Sequence, residues 1–69
     1  MSTKTYTVAG MTCGHCVSSV TEEINELPGV SAVSVDLPTG AVTVTSDDDL
    51  AERDVRGAVE EAGYQLVSA

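Results

Sequence analysis

The chain has 69 residues, no Trp or Phe, and a net charge of −8 at neutral pH. A chain this short buries only about 60% of the surface its unfolded form exposes, which leaves room for one thin core and excludes a deep catalytic cleft. The acidic balance repels phosphate backbones and anionic bilayers, so it argues against nucleic-acid binding and membrane docking and favours a partner with a basic patch.

Residues 4–9 alternate polar and apolar side chains, with Tyr6 and Val8 on one face, and predict a strand. Residues 10–14 break the alternation and read as a loop. From Cys16 onward, Val17, Val20, Ile24 and Leu27 recur at helical spacing, with Glu22, Glu23 and Glu26 mostly off the stripe. Pro28 and Gly29 end this predicted helix. Val33, Val35 and Leu37 alternate with Ser34 and Asp36 as a second strand. Pro38-Thr39-Gly40 makes a tight turn, and Val42 and Val44 alternate with Thr43 and Thr45 as a third strand.

The acidic run at residues 47–49 reads as a solvated turn before a second helix, with a cation or a basic partner as the alternative. Asp49 and Glu52 fit a capping box, and Leu50, Val55, Ala58, Val59 and Ala62 form the apolar stripe. Gly57 inside that stripe costs about 1 kcal/mol relative to Ala, which a close helix–sheet contact would explain. Gly63 is the expected helix stop, and residues 64–67 a fourth strand. The order strand, helix, strand, strand, helix, strand over residues 1–69 predicts one α+β domain. Its expected architecture is the ferredoxin-like βαββαβ fold, a four-stranded antiparallel sheet with two helices on one face.

No apolar run approaches the ~18 residues of a membrane helix, so no membrane insertion is expected. The start, Met1-Ser2-Thr3-Lys4-Thr5, lacks the apolar stretch of a signal peptide. The expected location is therefore the cytoplasm. There two cysteines stay reduced, which favours metal or redox chemistry over a structural disulfide.

Those cysteines frame the segment Cys13-Gly14-His15-Cys16. Cys13 falls in the loop after strand one and Cys16 in the first turn of helix one. Unpaired backbone N–H groups and the positive end of the helix dipole lie there, and they favour thiolate, most strongly at Cys16. Thiolate is the form that binds metal. Two intervening residues let both sulfurs turn to one point, with Gly14 supplying conformational freedom. A two-thiolate site is poor for zinc, which takes four ligands in structural sites, whereas soft sulfur donors select copper(I). A redox-active pair and half of a zinc site are the alternatives that the spacing alone leaves open.

The longer run Gly10-Met11-Thr12-Cys13-Gly14-His15-Cys16, together with Pro28-Gly29-Val30 and Gly63-Tyr64, resembles the signature of the heavy-metal-associated domain family. The likeness extends over about residues 3–68 and is closest to the free-standing bacterial copper chaperones of that family. It implies a non-enzyme that binds copper(I) through Cys13 and Cys16. It further implies delivery to the N-terminal domains of copper-transporting P-type ATPases, and for some members exchange with copper-sensing repressors. Thr12 stands where zinc and cadmium members often carry Asp, which tilts the metal toward copper. Met11 offers a thioether, but the resemblance places it as packing beneath the loop. His15 offers a third ligand or tunes the thiolates, with a solvated loop residue as the plainer reading. Tyr64 is expected to shield the metal from the end of the fourth strand. An exposed two-thiolate site also permits a copper(I)-bridged dimer of a chain that is monomeric without metal.

Overall fold

The computed structural model describes residues 1–68 and carries the six predicted elements in the predicted order. They are β1 (Ser2–Ala9), α1 (Gly14–Asn25), β2 (Val30–Asp36), β3 (Ala41–Ser46), α2 (Glu52–Glu61) and β4 (Gln65–Ser68). The strands form one sheet in the order β2-β3-β1-β4, every neighbouring pair antiparallel. This is the ferredoxin-like arrangement, in which β1 and β3 pair at the centre and join the two halves.

Alternation along the strands gives the sheet two unlike faces. Tyr6, Val8, Val42, Val44 and Leu66 point inward and are buried, together with Val20 and Ile24 of α1 and Val55, Ala58 and Val59 of α2. Both helices thus lie on one face of the sheet. The other face is lined by threonines, whose hydroxyls meet across the central pair at Thr3 and Thr45 (3.4 Å) and Thr5 and Thr43 (3.2 Å). Such a polar face needs no cover. Full burial of an aliphatic side chain such as Ile24 contributes about 1.5–3 kcal/mol, so this small inner layer carries most of the stability.

Several boundaries differ from the sequence reading. α1 begins at Gly14, two residues before its apolar stripe, because the Cys13 carbonyl accepts the N–H groups of Cys16 (3.1 Å) and Val17 (3.3 Å). β1 begins at Ser2 and β2 at Val30, and β2 ends at Asp36, which leaves Leu37 in the turn. β4 starts at Gln65, one residue after Tyr64. The capping box does not form. Ala51 occupies the N-cap of α2 with no side-chain bond, while the Asp49 carboxylate accepts a hydrogen bond from the Ser2 hydroxyl. Gly57 is exposed, and a β-carbon there would meet nothing within 4 Å. It marks no close helix–sheet contact.

Two backbone devices shape the end of the molecule where β1 leads into α1. Gly40, at φ +75°, closes the β2–β3 hairpin, and its carbonyl accepts the Val8 N–H at 2.9 Å. A β-carbon at Gly40 would stand 2.7 Å from the Val8 carbonyl oxygen. Only glycine lets the hairpin tip grip β1 there, beside the register shift between Thr7 and Val8. Gly63, at φ +96°, stops α2. Its N–H bonds to the Glu60 carbonyl at 2.9 Å, and the Tyr64 N–H reaches back to the Val59 carbonyl at 3.0 Å. This bonding pattern is a Schellman motif.

Candidate metal centre

The chain leaves β1 at Ala9 and turns through Gly10, whose φ of +96° suits only glycine. Met11 follows, half-buried and packed against the core cluster. Thr12 is exposed, with its hydroxyl 4.0 Å from the Cys16 sulfur. Cys13 is the N-cap of α1 in extended conformation and makes no side-chain capping bond, so its sulfur stays free to turn. Gly14 and His15 are exposed residues of the first helical turn. Gly14 lies outside the positive-φ region, and a methyl there would meet nothing within 4 Å, so the conformational freedom expected of Gly14 is used at Gly10 instead.

Helical geometry then brings Cys16 onto the inner side of α1. Both cysteines are free, Cys13 exposed and Cys16 buried, and their sulfurs lie 3.3 Å apart. A covalent disulfide would hold them at about 2.05 Å, so this is a contact of two thiols. Among the described residues no group of three His, Cys, Asp or Glu side chains stands ready to hold a metal. The two sulfurs are the soft donors that the fold brings together, and His15 is not gathered with them.

Cys16 is an unusually acidic thiol, its pKa lowered from 9.0 to about 6. The side chain of Tyr64 contributes most, followed by a backbone donor at Thr12, the Cys13 thiol and a backbone donor at Cys13, while burial opposes them. To the helix start, from which the sequence suggested thiolate, the fold thus adds a phenol that is distant in sequence. The same contact raises the pKa of Tyr64, first through its interaction with Cys16, then through desolvation and the nearby sulfur charges. A phenol that donates toward a thiolate favours the sulfur's charged form and its own neutral one.

Tyr64 is half-buried, and its ring edge approaches Gly10 closely enough that a β-carbon on Gly10 would stand 3.3 Å from Cδ1. Ala9, Gly10, Gly63, Tyr64 and Gln65 line an open depression of about 370 Å³. The structure thus brings together Thr12, Cys13, Cys16 and Tyr64 and leaves His15 on the surface. Gly10 was legible as a loop breaker and as the first residue of the family signature, but not as a contact of Tyr64. Its glycine identity, at the point where a strand gives way to a cysteine loop, was the available signal.

Comparison with known proteins agrees with this geometry. The model of the heavy-metal-associated domain matches residues 5–65. The chain is 45% identical over 67 residues to copper chaperone CopZ of Bacillus subtilis (strain 168), covering 96% of this chain and 97% of that protein. Among solved structures, a CopZ metallochaperone superposes with a TM-score of 0.89 at 39% identity, over 96% of this chain and all (100%) of the other. A copper binding domain from HMA7, a P-type ATPase, gives a TM-score of 0.89 at 30% identity, over 100% of this chain and 95% of that one. With residues 5–65 matched and near full-length relatives at this identity, the chain belongs to the heavy-metal-associated domain family.

Proposed function

We infer that the protein is a cytoplasmic copper(I) chaperone, a single non-catalytic domain that binds the ion through Cys13 and Cys16 and releases it by ligand exchange to a partner. The observation that carries this reading is the pair of free sulfurs 3.3 Å apart, one exposed and one buried. Two soft donors with no third protein ligand gathered beside them among the described residues suit copper(I) better than zinc. Residues 10–16 contain no Asp, Glu, Lys or Arg, so no protein charge competes with the thiolates there. The names of the relatives, copper chaperones and a copper binding domain of a P-type ATPase, support the same metal and the same route.

The exposed side favours transfer. A thiolate of the partner adds to the ion from the Cys13 side as a third ligand, and one of the original sulfurs then leaves, so no bare ion is released. The partners that fit are the N-terminal metal-binding domain of a copper-transporting P-type ATPase and, second, a copper-sensing repressor. The surface charge of −8 favours the one that carries a basic face. Met11 and Thr12 form the loop, Gly14 opens α1 between the cysteines, Tyr64 screens Cys16, and His15 lies at the rim.

Titration of the reduced protein with copper(I) against a strong chelator, followed by mass measurement under native conditions, tests the assignment. The expected result is one copper per chain, with a copper-bridged dimer as the form at excess protein. Cys13→Ser and Cys16→Ser each abolish tight binding while the circular dichroism of the metal-free protein is kept. Weak copper binding combined with reduction of insulin disulfides would instead identify a thiol–disulfide oxidoreductase.

A further inference from the structure

Gly10 stands where the strand gives way to the metal loop, and the edge of an aromatic ring fills the space its side chain would need. The ideal β-carbon at Gly10 lies 3.3 Å from Tyr64 Cδ1, inside the usual carbon–carbon contact of about 3.5–4.0 Å. The backbone that carries the ring is anchored: the Tyr64 N–H is bonded to the carbonyl of Val59, a residue with 0% exposure in the middle of the core. The loop containing Gly10 and the turn containing Tyr64 therefore meet at a fit set by the absence of one methyl group.

We propose that Gly10 is a positioning residue: its missing side chain seats the Tyr64 ring against the loop and so holds the phenol beside the buried Cys16 sulfur. A side chain at position 10 shifts the ring by a few tenths of an ångström away from the loop and loosens its hold beside that sulfur. The consequence for binding rests on the copper(I) reading above, whereas the seating of the ring is a property of the metal-free protein and is tested without metal.

Proton NMR of the reduced metal-free chain is expected to show cross-peaks between the Gly10 α-protons and the Tyr64 ring δ-protons. Their absence overturns the proposal, whatever the protein does with copper. In the binding arm, Gly10→Ala weakens copper(I) about fivefold in chelator competition, the worth of one ordinary hydrogen bond. Combined with Tyr64→Ala, where no ring remains to displace, the same substitution changes affinity by less than about twofold, the usual limit of additivity error. Equal weakening in both backgrounds, or none in either, overturns the proposal, the former because Gly10 would then act only through its backbone conformation. If Gly10→Ala fails to fold, the cross-peaks in the unmodified chain decide. If the unmodified chain does not bind copper, the copper reading falls and the cross-peaks still decide the seating.

Discussion

At the scale of single residues, the phenol of Tyr64 is the strongest influence on the Cys16 thiol, which titrates at about 6. Tyr64→Phe removes it, and ultraviolet titration of the thiolate near 240 nm is expected to show the Cys16 midpoint moving upward toward its ordinary value. The linkage to stability follows from the direction of the shift. A thiol more acidic in the folded chain than in the unfolded one favours folding fully above pH 9.0, progressively less as pH falls to about 6, and not at all below. Urea unfolding of the reduced metal-free protein should therefore show the advantage over Cys16→Ser growing between pH 6 and 9; a constant difference would show that the thiol is not perturbed. The packing of Met11 was legible through the family resemblance, and the places of Cys13 before the helix and Cys16 in its first turn through the onset of the apolar stripe. The Tyr64–Cys16 contact could not be read from periodicity, because it depends on which loop ends meet in space.

At the scale of elements, α2 carries two defects that substitution should repair. Gly57 is exposed in mid-helix with open space around it, so Gly57→Ala is expected to raise stability by about 1 kcal/mol. Ala51 caps the helix without a side-chain bond, so Ala51→Asp should add about 1 kcal/mol more. Both are read from the midpoint of chemical unfolding. The hairpin behaves oppositely. Gly40→Ala forces a positive φ onto a residue with a β-carbon 2.7 Å from the Val8 carbonyl, and a loss of about 2–4 kcal/mol is expected in the same measurement. Element order and type were legible because most of each strand alternates with a period of two and each helix carries a stripe of apolar residues. The helix starts were not. The α1 stripe begins at Cys16, but backbone bonds to the Cys13 carbonyl start the helix at Gly14. The spacing of Asp49 and Glu52 matched a capping box, but Asp49 found a partner in Ser2, far off in sequence and adjacent only in the fold.

At the scale of the whole molecule, the acidic surface is crowded on the helical side. Glu23 has its pKa raised first by desolvation and then by the charges of Glu26, Glu61 and Glu22, and neither helix has a basic residue in its last turn. Helix dipoles and like charges both oppose this arrangement. Raising sodium chloride from low to moderate concentration is therefore expected to increase the melting temperature of the metal-free chain while weakening its association with a basic partner. A melting temperature that fell with salt would show that the acids are compensated by pairs. The glycine-stopped end of α2 extends this coupling to the metal site in a different way. Tyr64 leaves the helix through the bond of its own N–H to Val59 and that of the Gly63 N–H to Glu60, so its direction is set by the angle at which α2 ends. Each residue of a helix advances that angle by about 100°. Removing one residue from α2 would swing the phenol away from the cysteines even if every side chain near the metal were kept. The reactivity of the thiol pair is thus tied to the number of residues in a helix that does not contain it, so insertions and deletions along α2 should be far less tolerated than substitutions on its exposed face.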